Sequence, residues 1–181
     1  MIPMSYQIRF ATLGDCMALP ALERAAATVF AKYMEVTGLT PALLAHTKTE
    51  ADFKSAQHEG LLWVVADLDD TPVGFAMLGR LDADMHIHEI DVHPEHARRG
   101  LGASLIQHVG QWARERGVAG ITLTTYRHVP WNAPFYERMG FRILDEAELT
   151  SALRDIQIHE RSMGWKVSAR VAMRLELASS P

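Results

Sequence analysis

The stretch MHIHEIDVHPEHARRGLGASLIQHVGQWARERG, residues 85–117, constrains the fold more than any other part of the chain. Its first nine residues alternate like a strand. Gly100 and Gly102, with Arg98 and Arg99 just before them, interrupt that pattern. Beyond them Leu101, Leu105, Val109 and Trp112 recur at helical spacing, which predicts a helix over 99–117. ITLTTY, residues 121–126, follows as another strand. The unit is therefore a strand–helix–strand crossover, and the helix has to lie on the sheet that its two strands enter.

The remaining segments supply the rest of that sheet. YQIRFAT (6–12) reads as an edge strand, and LLWVVADLD (61–69) with VGFAMLGRLD (73–82) as a hairpin turning at DDTP. FRILDEAEL (141–149) leads outward as strand or loop, and VSARVAMRLEL (167–177) is the last strand. Helices are predicted over 14–33, with Asp15 as N-cap and Pro20 in the first turns, and within 37–60, ending at Gly60. Two more are predicted over 132–140, closed by Gly140, and over 150–164. The expected architecture is α/β: one domain over 1–181, with a central six- or seven-stranded, mostly antiparallel sheet flanked by helices. A last strand at the sheet edge would let two copies pair as a homodimer.

Bulk properties exclude several function classes. The chain has 181 residues and a net charge of −4, which argues against a protein built to coat nucleic acid or an anionic membrane. No run approaches the ~18 apolar residues of a membrane span, and the first residues, MIPMSYQIRF, lack the basic and apolar regions of a signal peptide. The single cysteine, Cys16, rules out an intrachain disulfide and reads as a small buried hydrophobe. A reducing, cytoplasmic location is expected.

The glycine turn carries chemistry. A helix start exposes unpaired N–H groups and the positive end of the helix dipole, and glycines let a ligand approach the backbone. With Arg98 and Arg99 alongside, the turn is suited to a phosphate or pyrophosphate. It is not a Walker loop, because the Gly-Lys-Ser/Thr ending is missing. Leu105 stands where a dinucleotide fingerprint needs its third glycine, and Ser104 lacks the glycine at 106 of a nucleophile elbow.

Val92-His93-Pro94, the Gly-x-Gly opening of a long helix and the later Tyr136-x-x-x-Gly140-Phe141 together resemble the Gcn5-related N-acetyltransferase (GNAT) superfamily, densest over 85–141. The resemblance implies acetyl-CoA as co-substrate. Its pyrophosphate would lie on the backbone of Arg98, Arg99, Gly100, Leu101, Gly102, Ala103 and Ser104. Its pantetheine arm would pair with the backbone around Ile90 and Val92, beside Asn132 and Phe135. Two positions depart from the family: Ala97 stands in a slot usually held by Gln or Arg, and Val129 in one usually held by Asn. Locally, His86-x-His88 and Pro134-Phe-Tyr-x-Arg-x-Gly-Phe are similar to arylalkylamine N-acetyltransferases. That similarity implies His86 and His88 as base or proton relay, and Tyr136 as the acid that protonates the departing thiolate.

The chemistry suits these residue types. An alkylamine with a pKa near ~10.4 must lose a proton before it attacks a thioester, and imidazole titrates in the right range to take it. On a regular strand His86 and His88 share one face about 6.6 Å apart, close enough for a water relay, while Glu89 faces away and becomes a reserve base only if a bulge changes the register. His93 falls on the opposite face from the pair, so no metal site is expected. Trp131 is a candidate for lining the acceptor pocket. The reading is an acetyl-CoA-dependent N-acetyltransferase acting on a small-molecule amine, with no nucleic-acid or membrane partner. The alternatives are a protein or peptide acceptor, and a non-catalytic acyl-CoA sensor.

Overall fold

In the computed structural model, which describes residues 2–177, seven strands form one sheet in the order β1-β2-β3-β4-β5-β7-β6. The strands are β1 (Gln7–Phe10), β2 (Leu62–Ala66), β3 (Pro72–Leu81), β4 (Asp84–Val92), β5 (Gly120–Tyr126), β6 (Arg142–Ile143) and β7 (Arg170–Glu176). Every neighbouring pair is antiparallel except β4 and β5, which the crossover helix makes parallel. The mixed, mostly antiparallel sheet expected from the sequence is therefore present, and YQIRFAT does form its edge.

The long helix α5 (Leu101–Arg114) covers one face. Leu101, Leu105 and Val109 pack there on Met85, Ile87, Ile121, Leu123 and Met173. Each such side chain contributes roughly 1.5–3 kcal/mol by leaving water. The short helix α6 (Ala133–Arg138) joins the same core through Ala133 and Tyr136. The opposite face is shared by α1 (Leu19–Ala27), α4 (Glu50–His58) and α7 (Ser151–Ser162). Short helices α2 (Met34–Thr37) and α3 (Pro41–Ala45) connect α1 to α4.

Three expectations are corrected. The predicted helix over 14–33 is broken into a 3₁₀ turn (Asp15–Met17), α1 and a second 3₁₀ segment (Thr28–Tyr33). Pro20, without an N–H, belongs in the first turn of a helix, and Thr28 Oγ1 donates to the Ala25 carbonyl at 2.6 Å where α1 ends. Asp15 is not an N-cap: its carboxylate accepts from the Thr12 amide and hydroxyl and from Arg9. Finally, β7 is interior rather than at an edge, because β6 pairs with its outer side through Arg142 and Ile143. The strand proposed for pairing with a second copy is thus already paired. Cys16 is fully buried, as expected.

Candidate active site

The register of β3 against β4 decides which side chains meet. Met77 lies opposite Glu89 and Leu78 opposite Ile87, so His88 is an extra, unpaired residue: a β-bulge. Before it, Met85 and Ile87 point into the α5-side core. After it, Ile90 and Val92 pack on that same core. The bulge therefore turns Glu89 and Asp91 to the side where His86 lies, which corrects the regular-strand expectation that Glu89 faces away. The His86 and His88 rings are 5.1 Å apart, edge to face, and the His88 ring occupies the space that a Cβ on Gly79 would fill.

The bulge also ends the parallel pairing. β4 meets β5 only at Met85–Ile87 against Ile121–Leu123. Beyond that point the two strands diverge, and the edge of β4 from His88 to Val92 that faces β5 has no ladder partner among the described residues. An extended ligand can complete this edge as an added strand would.

At the end of β4 the chain turns through Arg98 (φ 62°) and Gly100 (φ 79°), the N-cap of α5. Among the described residues the backbone amides from Arg98 to Ala103 make no hydrogen bond, whereas the Ser104 amide donates to the Gly100 carbonyl at 2.9 Å. The run of unbonded amides thus stops at Ala103, one residue short of the expected Ser104. The two arginines differ. Arg99 donates to the Tyr6 hydroxyl (2.6 Å) and the Glu95 carbonyl (3.2 Å), which pins it to the first strand's approach. Arg98 is exposed and makes no side-chain hydrogen bond or ion pair among the described residues. Phe135 Cζ lies 3.9 Å from where a Gly102 Cβ would stand, so α6 is seated over the turn, and Asn132 Oδ1 at its N-cap is buried without a partner. Free amides, an unpaired strand edge and an orphan acceptor beside them fit coenzyme A.

The far side of the bulge is the more charged. Glu23 on α1, Lys48 on the α3–α4 connection, Glu89 and Asp91 converge there. Glu23 Oε2 accepts from the Lys48 amide at 3.0 Å, and Lys48 Nζ lies 3.7 Å from Glu89 Oε2. Burial, with Glu89 nearby, pushes the Glu23 carboxyl up to about 7. Burial likewise raises Glu89, and Asp91 is raised further by burial and by its carboxylate neighbours Glu89 and Glu23. Burial lowers His86 to about 3, with Nδ1 on the Thr122 hydroxyl at 2.9 Å, while the solvent-exposed His88 imidazole is lowered by the protein packed around part of it and by the Lys48 charge. Phe30, Tyr33, Tyr126 and Trp131 form an aromatic group nearby, with Tyr33 and Trp131 4.8 Å apart. The buried Glu160–Arg170 pair fastens α7 to β7, and Arg170 also bonds the Thr124 carbonyl of β5. Tyr136 is 6% exposed, its hydroxyl makes no protein hydrogen bond among the described residues, and burial with Glu89 and Asp91 nearby raises its pKa, so it keeps its proton.

Against known proteins, the model of the acetyltransferase (GNAT) family matches residues 30–141. The chain is a GNAT acetyltransferase. Acetyl-CoA is its donor and an amine its acceptor, so the enzyme and co-substrate expectations hold at that level. A streptothricin acetyltransferase of Streptomyces lavendulae is 27% identical over 76% of this chain and 82% of its own. A peptidyl-lysine N-acetyltransferase of Salmonella typhimurium is 28% identical over 50% of this chain and 57% of its own. Among solved structures, the PaiA N-acetyltransferase of Thermoplasma acidophilum, in complex with coenzyme A, shares the fold at TM-score 0.69 and 15% identity, covering 96% of this chain and 99% of that one. No helix among the described residues is long and apolar enough to cross a membrane, and none of their His, Cys, Asp and Glu side chains gather in a group of three suited to a metal.

Sequence reasoning missed Glu23, Lys48, Asp91 and Tyr126. Glu23 had a signal: it lies on the stripe Leu19, Leu22, Glu23, Ala26 that α1 buries, where an acid is out of place. The other three had none, since only the bulge and the fold of the α1–α4 region bring them to the histidines.

Proposed function

We propose that this GNAT enzyme acetylates the primary amine of a small molecule. The bulge at His88 carries the reading: it gathers two histidines and two carboxylates on one face, with the Phe30–Tyr33–Trp131 group beside it as an apolar wall for a compact acceptor. The likeness to a streptothricin acetyltransferase over 76% of this chain supports it.

When bound, acetyl-CoA supplies an activated thioester. The amides from Arg98 to Ala103 hold its pyrophosphate, with the charge of Arg98 alongside, and Gly102 under Phe135 lets it approach. The free edge of β4 at Ile90 and Val92 aligns the pantetheine, near Asn132. His88, whose imidazole is lowered, and the Glu89 carboxylate facing the Lys48 ammonium take the ammonium proton directly or through water. His86 stays neutral and orders that relay. Tyr136, still protonated, gives its proton to the leaving thiolate.

The test follows release of free CoA thiol from acetyl-CoA with phenylethylamine, tryptamine, polyamines, amino acids, aminoglycosides and a short peptide. Turnover of one small amine is expected, with kcat down roughly 10²-fold in Tyr136→Phe and at least ~10-fold in His88→Gln. Turnover of the peptide alone overturns the acceptor class. Full activity in both variants overturns the roles.

A further inference from the structure

One charge in the acceptor face belongs to no step above. The Lys48 ammonium stands 3.7 Å from the Glu89 carboxylate, and its charge is felt at His88. Those are the two groups assigned to receive the acceptor's proton. The residue is held in place from both sides: its own amide is bonded to Glu23, and the next residue, Thr49, caps α4 in a reciprocal pair with Asp52. Its side chain is 30% exposed and reaches inward to the bulge. Lys54, by contrast, pairs with Glu50 along the outer surface of α4. Lys48 therefore presents a primary amine where an external amine has to stand.

We propose that Lys48 is an internal acetyl acceptor, modified by the chain's own active site when no external amine occupies it. The inference rests on the reading of this face as the acceptor side. In the step, the Lys48 ammonium gives one proton to Glu89 or His88. The free Nζ forms a bond to the thioester carbonyl carbon, and the carbon–sulfur bond breaks. The nitrogen loses a second proton as the amide forms, and the thiolate takes one from Tyr136. The products are Nε-acetyl-Lys48, free CoA and one net proton. Because the amine is tethered beside the reacting groups, the step is unimolecular and needs no encounter.

The full chain is incubated with acetyl-CoA alone and followed by intact mass and peptide mapping. One acetyl group is expected, on Lys48, at a rate independent of protein concentration. Lys48→Arg abolishes it, Lys54→Arg leaves it unchanged, and Glu89→Gln slows it at least ~10-fold. A saturating external acceptor suppresses it. Acetyl groups spread over Lys32, Lys48, Lys54 and Lys166, or a rate that rises with protein concentration, overturn the proposal. An unmodified Lys48 in protein that turns over an external amine overturns it and leaves the small-molecule reading standing. Labelled Lys48 without turnover of any amine does the reverse, and neither label nor turnover sinks both.

Discussion

His86 shows how much chemistry a single hydrogen bond can set. Its Nδ1 lies 2.9 Å from Thr122 Oγ1, and that hydroxyl has a long contact of 3.5 Å to the Met85 carbonyl. A hydroxyl has one proton. With that proton directed at Met85, Thr122 accepts from Nδ1–H and leaves the lone pair on Nε2. Burial keeps the ring neutral, so this tautomer persists across the working pH range. Thr122→Val is expected to cost ~1–3 kcal/mol by stranding a buried N–H. It should also release the tautomer, seen as a changed pattern of His86 ¹⁵N shifts, whereas Thr122→Ser keeps both. An Nε2–H tautomer in the unmodified chain contradicts the assignment.

Among the elements, the turn into α5 and the bulge in β4 divide the work of the site. The turn depends on Gly100, whose φ of 79° suits glycine and whose missing Cβ would meet open space. Gly100→Ala therefore introduces conformational strain without a clash, about 1–2 kcal/mol. Thermal unfolding should show that loss, and calorimetric titration should show weaker CoA binding as the amides from Arg98 to Ala103 move. Undiminished CoA affinity would show that the amides do not hold the ligand. The turn and α5 were legible because glycines, arginines and a 3.6-residue apolar repeat lie next to one another in the chain. The bulge was not, because it exists only in the pairing of β4 with β3; reading β4 as regular put Glu89 on the wrong face.

Across the whole molecule, two buried groups oppose each other as pH changes. Glu23 is raised to about 7, so the folded state binds more protons than the unfolded one between about 4.5 and 7, and its contribution to stability falls as pH rises through that window. His86 is lowered to about 3, so its contribution is lost as pH falls from about 6.5 toward 3. In the native chain the two slopes partly cancel where the windows overlap. Glu23→Gln removes the first, and its stability should rise with pH from 4.5 to 6.5 more steeply than the native protein's. The difference near neutral pH is on the order of 3 kcal/mol. Denaturant unfolding across that range measures it, and parallel curves for the two proteins contradict the burial of an ionisable Glu23.

The sequence by itself determined the crossover, the sheet class and the glycine turn into α5, and it marked His86, His88 and Tyr136 as candidates. Each of these rests on neighbours within one or two elements, where period and turn chemistry act directly. Tertiary structure alone decided the rest. It placed β7 inside the sheet, fixed Arg99 to Tyr6 across 93 residues of chain, and folded α1 and the α3–α4 connection so that Glu23 and Lys48 face the bulge. Those contacts follow from which strands pair and which faces bury, and that competition is settled only when all seven strands and their covering helices pack at once.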